Sequence, residues 1–417
     1  MTGPDRSADV VIVGAGLGGL AAACYLTRAG KRVVLLEAGD GVGGRVRTDS
    51  VEGFRLDRGF QVLLTAYPEA RALFDYAALD LRAYEPGARI RAGGEWMTVA
   101  DPWRRPGLAV ATALSRVGTL ADKFRIARLK SQVTRGSPLD RYRRAETTTA
   151  EYLASAGFSD QVIARFFRPF FAGIFLDPDL TASSRMFEFV YRMFSLGDAA
   201  IPASGMQALP DQLAARLPAG SVVFGARVAR VGDGVVELEG GVSYRGRAVI
   251  VAAGAGLPNL LPGRAPTVWR AVSCLYFAAE SPPEGAGRFL VLNGDGQGPV
   301  NNLSVPTALS PALGPAGQSL VSVTVLGAAR DGATLEPLVR AQLTQWFGSI
   351  VREWRLLRCD RIHYGLPGQS PPWYTKPDWP VRVRRGLYAA GDLLDTASID
   401  GALRSGRAAA EACLDDA

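Results

Sequence analysis

The hydrophobic positions of this chain change rhythm several times, and each change predicts an element. Val10-Val11-Ile12-Val13 is a β-branched run of strand length that breaks at Gly14 into small residues continuing with helical character to Ala29. A second apolar run, Val33 to Leu36, ends in Glu37, so the opening stretch predicts strand, helix, strand: a βαβ unit. Residues 68 to 200 read mainly as helices. Within them Val117, Leu120, Phe124 and Ala127 follow one helical stripe, with Lys123, Arg125, Arg128 and Lys130 on the remaining face, which predicts a basic amphipathic helix. Ile201 to Leu217 predicts a glycine turn and a helix. Val222 to Val231 reads as strand, turn and strand, before a hairpin at Val235 to Leu238 and a strand from Ala248 to Ala253. From Arg270 to Arg361, strands at Val272 to Ala278 and Leu320 to Leu326 and a helix from Leu335 to Phe347 predict a mixed sheet. A last strand then feeds a helix reaching Leu414.

The turn after the first strand carries the most specific chemistry. In Gly14-Ala15-Gly16-Leu17-Gly18-Gly19, Gly14 allows a tight turn, Gly16 lets backbone approach a pyrophosphate, and Gly19 lets helix and strand pack closely. The helix start then presents free N–H groups and a partial positive charge to the anion. Glu37, 18 residues after Gly19, suits both hydroxyls of an adenosine ribose and repels a 2′-phosphate, so FAD or NAD is expected and not NADP. Gly43-Gly44-Arg45-Val46-Arg47-Thr48 follows the second strand at once. An NAD enzyme has no use for it there, whereas a second loop over the same pyrophosphate would use its glycines and the charge of Arg45.

Strand, G-x-G-x-x-G, acid and G-G-R-x-x-T in that order resemble the N-terminal signature of the flavin-containing amine oxidase superfamily. That superfamily includes monoamine oxidases, protoporphyrinogen oxidases, phytoene and carotene desaturases and carotenoid isomerases. Near the other end, Ala390-Gly391-Asp392 and Ser398-Ile399-Asp400-Gly401-Ala402 match its C-terminal A-G-D and S-x-x-G-A pattern. The resemblance implies an α/β fold: a Rossmann-type FAD-binding domain of the GR2 kind from residues 1–67, 201–262 and 383–417. It further implies a discontinuous α+β substrate domain, with a helical cap at 68–200 and a mixed sheet at 263–382. It places Gly14, Ala15, Gly16, Gly18, Gly19, Glu37, Ala38, Gly43, Gly44 and Arg45 around the dinucleotide, and the Val228 main chain at the adenine. Gly59, Phe60 and Gln61 would pass the flavin ring, Gly391 and Asp392 the ribityl and pyrophosphate region. Ser398, Ile399 and Ala402 would start a helix whose N–H groups suit negative charge at flavin N1 and O2. Gly254-Ala255-Gly256 is not a second nucleotide turn, because Asn259 stands where the third glycine belongs and Pro258, Pro262 and Pro266 oppose a helix.

Composition narrows the chemistry. No stretch reaches transmembrane length, and Met1 to Asp9 is too short and polar for a signal peptide, so a cytoplasmic protein is expected, at most peripheral to a membrane. Cys24, Cys274, Cys359 and Cys413 lie far apart, and His363 is the one histidine. A disulfide framework, a metal site and a histidine triad are therefore not expected. The formal charge of +7 is concentrated between Pro102 and Arg144, where eleven basic residues face Asp122 and Asp140, a balance of +9. That segment is read either as a solvated helix face or as a contact with an anionic membrane; no nucleic acid partner is expected. Residues Phe166 to Phe194 hold eight of the seventeen phenylalanines, which suit either a helical core or a cavity for a large apolar ligand.

The amine oxidases that this chain resembles carry a lysine, bridged by water to flavin N5, on the strand matching Ala271 to Phe277. Here Ser273 stands near that place, and no lysine occurs between positions 131 and 375. The segment Leu366 to Pro377 also lacks the cysteine through which monoamine oxidases attach flavin, so FAD is expected to be non-covalent. Trp373 and Tyr374 are candidates for aromatic walls, and His363 or Tyr364 for handling a proton; no catalytic base is named. The expected activity is FAD-dependent dehydrogenation or desaturation of a bulky hydrophobic substrate, such as a carotenoid-like polyene, another isoprenoid or a porphyrinogen, by hydride transfer to flavin N5. The alternatives are oxidation of an amine or amino acid with release of hydrogen peroxide, and a non-redox or structural use of FAD.

Overall fold

A computed structural model describes residues 6–102, 104–261, 267–328, 332–373 and 381–417. The opening βαβ unit forms as its pattern requires: β1 (Ser7–Val13), α1 (Leu17–Arg28) and β2 (Val33–Leu36). Gly18, Gly19 and Ala21 to Ala23 are all buried, and their small side chains let α1 lie close both to the strand turn at Gly14, through Gly19, and to helix Ile399–Asp415, through Gly18, Ala21 and Ala22.

The first of two large sheets has eight strands. β1 pairs in parallel with β2 and with Ser243–Val251, whose last residues pair in parallel with Leu387–Ala389. Val222–Val223 extends the parallel set beyond β2, while Val228–Val231 and Val235–Leu238 add an antiparallel edge. The register aligns Val13 with Leu36 and Val251, and Val251 with Ala389. The carboxyl ends of these strands therefore meet at one edge, where ligands of parallel α/β sheets bind.

The second sheet has seven strands, in the order Arg355–Pro367, Trp269–Ala279, Ser319–Leu326, Val300–Ser304, Leu290–Asn293, Gly87–Ala92 and Glu95–Ala100. The last two correct the reading of 68–200 as mainly helical. Ala88, Ile90 and Ala92 alternate inward between Arg89 and Arg91, the two-residue period of a strand, and this hairpin joins the mixed sheet. Helix Gly332–Phe347 covers one face through Leu335, Val339 and Leu343, which pack with Leu275, Phe277, Val321 and Val323.

The helices of the 68–200 stretch include Ala109–Leu114, Leu120–Thr134, Thr149–Ser155, Arg168–Phe175 and Ser184–Leu196. The stripe read for the second of these helices is corrected. Val117, just before it, is buried, but Leu120 and Phe124 point to solvent while Asp122, Leu129 and Val133 face inward. The stretch after Val251 also departs from expectation: Leu257–Leu260 forms one helical turn, with Pro258 in its first turn, where a missing N–H costs nothing. Pro262, Gly263 and Pro266 lie outside the described residues.

Candidate functional site

The cradle at the carboxyl edge is built from backbone. Gly14 has φ +98°, and a Cβ there would stand 2.6 Å from the Ala252 carbonyl oxygen. At Gly19 a Cβ would come within 2.0 Å of the Gly14 oxygen, so helix and strand are as close as they can be. Gly16, the cap of α1, differs: its φ is −72° and an added Cβ meets no heavy atom within 4 Å. Close contact thus demands glycine at positions 14 and 19, whereas open space lies in front of position 16. That is the shape a pyrophosphate needs.

Glu37, with Ala38 following it, is locked in place. The Ala15 N–H donates to its Oε2 and the Gly39 N–H to its Oε1, each at 2.8 Å. The Gly43 N–H donates to the Ala15 carbonyl at 2.8 Å, and Gly43 and Gly44 both have positive φ, so the two glycine loops lie edge to edge. The Ala226 N–H donates to the Glu37 carbonyl at 2.8 Å, which brings Val228 to the same corner of the sheet.

The C-terminal signature closes on this cradle. A Cβ on Gly18 would stand 3.2 Å from the Ala402 oxygen and 3.3 Å from the Gly391 nitrogen. Gly391, at φ +134°, donates its N–H to Ser405 Oγ at 2.8 Å. Ser398 caps helix Ile399–Asp415, its Oγ accepting from the Gly401 N–H at 3.0 Å. Asp400 in the first turn is buried, and burial pushes its carboxyl up to about 6 although the Glu69 N–H donates to it at 2.8 Å.

Arg45 spans the two sheets. Its guanidinium pairs with buried Asp392, donates to the Gly365 carbonyl at 3.0 Å and lies 5.3 Å over the Trp269 ring. The turn Gly59-Phe60-Gln61 is clamped in the same place. The Gly59 N–H donates at 2.8 Å to the Tyr276 hydroxyl, which itself donates to the Asp57 carbonyl. Gln61 Nε2 donates to the carbonyls of Arg45 and Arg58, each at 2.8 Å, and Phe60 meets Tyr84 edge to face at 6.0 Å. Tyr276, Trp269 and Gln369 escape sequence reasoning because they stand alone in their stretches. Gln369 is buried and ties loops together: its Nε2 donates to the Asp395 carbonyl and its Oε1 accepts from the Ala397 N–H, both at 2.9 Å.

The other candidates separate. His363 and Tyr364 are exposed on strand Arg355–Pro367. Trp373 packs against the main core with its indole N–H buried and unpartnered among the described residues; Tyr374 lies outside them. Ser273 is buried and donates to the Gly327 carbonyl at 2.9 Å. The phenylalanine run divides: Phe167, Phe171, Phe175, Phe187 and Phe189 are core, while Phe166, Phe170 and Phe194 are only partly buried. Phe170 lies 5.5 Å from Phe166 and 5.1 Å from Phe194.

A glycine cradle at the ends of parallel strands, a carboxylate held by two backbone N–H groups and a helix start beside it form a site of the kind that receives a pyrophosphate and a ribose in a mixed α/β fold. The family model for flavin containing amine oxidoreductase matches residues 17–414, and the chain belongs to that family. Among curated relatives, the carotenoid 3,4-desaturase of Haloarcula japonica is 55% identical over 51 residues, 12% of this chain and 10% of that protein. Protoporphyrinogen oxidase 2 of Arabidopsis thaliana is 28% identical over 184 residues, 43% of this chain and 35% of that one. The alignments thus span well under half of these relatives' own lengths. A solved oxidoreductase from Methanosarcina mazei shares the fold with TM-score 0.75 at 18% identity, over 96% of this chain and 99% of that one.

Proposed function

We propose that FAD lies non-covalently across the cradle, its pyrophosphate before Gly16 and its ribose at Glu37, and that the enzyme dehydrogenates or desaturates a bulky apolar substrate of polyene, isoprenoid or porphyrinogen type. In this reading the parallel-stranded part, from residues 1–67, 201–262 and 383–417, is a Rossmann-type FAD-binding domain. Residues 68–200 and 263–382 carry the substrate.

The observation that carries the substrate class is the pair of aromatic groups served by one strand. Val300–Ser304 holds the helix bearing Phe170 through Asn301 Nδ2, which donates to the Pro169 carbonyl at 2.9 Å. The same strand holds Tyr84, and with it Phe60, through the 2.8 Å contact between the Tyr84 and Ser304 hydroxyls. Phenylalanine rings carry no polar group of their own, so a cavity walled by them suits a large apolar ligand.

When bound, the flavin supplies the electron-accepting centre at N5. The chain's part is positional: Tyr276 fixes the Gly59 turn, and the start of helix Ile399–Asp415 offers a positive dipole end to charge developing on the ring. Ser273, near the place expected of the lysine in the amine-oxidising route, donates to a backbone carbonyl, and the strand holds no lysine.

The test is anaerobic single turnover of the FAD-loaded protein, in detergent or liposomes, against polyenes, porphyrinogens and amines. Bleaching of the flavin by a polyene or porphyrinogen is expected. Bleaching by amines alone, with hydrogen peroxide on admitting air, replaces this reading with an amine or amino-acid oxidase; no bleaching by any of them points to non-redox use of FAD.

A further inference from the structure

Helices Ala109–Leu114 and Leu120–Thr134 turn an apolar row outward. Leu114, Leu120 and Phe124 are each 77% exposed and Val110 is 69% exposed. Leu120, Phe124 and Arg128 succeed one another at four-residue spacing and so share one helix face, opposite the buried Asp122, Leu129 and Val133. Lys123 fixes the neighbouring helix to this one by donating to the Ala113 and Ser115 carbonyls, the latter at 3.1 Å. The row is therefore held by two braced helices, not by a loose loop.

The charge around the row is selective. Six of the eleven basic residues of the +9 segment make ion pairs: Arg104 with Asp198, Arg105 with Glu85, Arg125 with Asp122, Lys130 with Asp101, Arg143 with Asp140 and Arg144 with Glu188. Arg116 and Arg128, beside the apolar row, are exposed and make no ion pair among the described residues. The one acid in residues 109–134, Asp122, is fully buried, holding the Thr119 and Ser159 hydroxyls and backbone N–H groups.

We infer that this surface docks on an anionic lipid bilayer, with Val110, Leu114, Leu120 and Phe124 entering the acyl region and Arg116 and Arg128 at the phosphate level. Protruding apolar side chains flanked by unpaired arginines, with no exposed carboxylate on either helix, match an interface of hydrocarbon under negative charge. The inference rests on these side chains and not on the substrate class.

The experiment is co-sedimentation of the FAD-loaded protein with phosphatidylcholine vesicles, with and without a third of phosphatidylglycerol, at low and high salt. Partition onto the anionic vesicles is expected to exceed that onto the neutral ones by at least about tenfold, each arginine near the surface giving roughly a fivefold factor. Leu120→Ser with Phe124→Ser should lower it at least about tenfold on both, because the buried apolar area is lost. Arg116→Gln with Arg128→Gln should lower it on anionic vesicles alone. Retained flavin absorbance and far-ultraviolet circular dichroism confirm that these surface variants fold. Failure of the parent protein to bind anionic vesicles overturns the inference, as does unchanged binding by the serine variant. Light scattering that shows a dimer abolished by the serine substitutions, without vesicle binding, assigns the surface to a second copy of the chain instead.

Discussion

Substituting Gly16 by valine separates binding from folding at the cradle. A Cβ at position 16 meets no heavy atom within 4 Å, and φ of −72° is open to any L-residue, so Gly16→Val is expected to leave the apoprotein close to its parent stability. Its methyl groups instead fill the space before the start of α1. Hydrogen bonds from backbone N–H groups to a phosphate contribute about 1.5–3 kcal/mol each, so losing one or two raises the dissociation constant of FAD by about tenfold to ten-thousandfold. Gly19→Ala provides the contrast, since its Cβ would overlap the Gly14 oxygen at 2.0 Å and force α1 off β1, costing about 3 kcal/mol of apoprotein stability. Denaturant melts of the apoproteins and titration with FAD, followed by quenching of flavin fluorescence, measure both effects. The reasoning fails if Gly16→Val binds FAD like the parent, or if it destabilises the apoprotein as much as Gly19→Ala.

Three further outcomes follow from named contacts. Glu37→Ala strips the acceptor from the Ala15 and Gly39 N–H groups and should cost about 1–3 kcal/mol, together with weaker FAD binding; calorimetry of apo and loaded protein checks it. Tyr276→Phe leaves the Gly59 N–H and the Asp57 carbonyl without the hydroxyl between them, so about 1–3 kcal/mol should be lost and the bound-flavin spectrum should shift. An unchanged melt and spectrum would show that the turn is held otherwise. For Asp400, the folded carboxyl at about 6 lies above its ordinary 3.8, so the folded state holds the proton more tightly. Stability on this account is greatest below about pH 4 and falls as pH rises to 6, by about 2–3 kcal/mol in all. Asp400→Asn keeps an acceptor for the Glu69 N–H and should flatten that slope; an equal slope in variant and parent would contradict it.

What sequence could disclose depended on distance along the chain. The cradle was legible because β1, the glycine turn, α1 and β2 are contiguous, and each glycine answers to a local requirement that the structure displays at Gly14 and Gly19. The Gly87–Ala92 strand carried a readable alternation that was masked by helices on either side. Leu120 and Phe124 show a different limit: spacing tells which residues share a helix face, but not whether that face meets protein or solvent. Arg45 shows a third. Its charge was visible, whereas its pairing with Asp392, 347 positions away, exists only after the sheets assemble.

That last contact bears on the order of events in synthesis. The parallel strands are drawn from residues 7–36, 222–251 and 387–389, and the cradle stays open on one side until Gly391 and Ala402 arrive beside Gly18. Because polypeptides emerge from their N-terminus, the signature made first must wait for almost the whole chain before its partner exists. With FAD in the proposed site, loading would accordingly be a late, largely post-translational step, and a ribosome stalled before codon 391 is expected to carry a nascent chain that already displays the G-x-G-x-x-G turn yet retains no flavin.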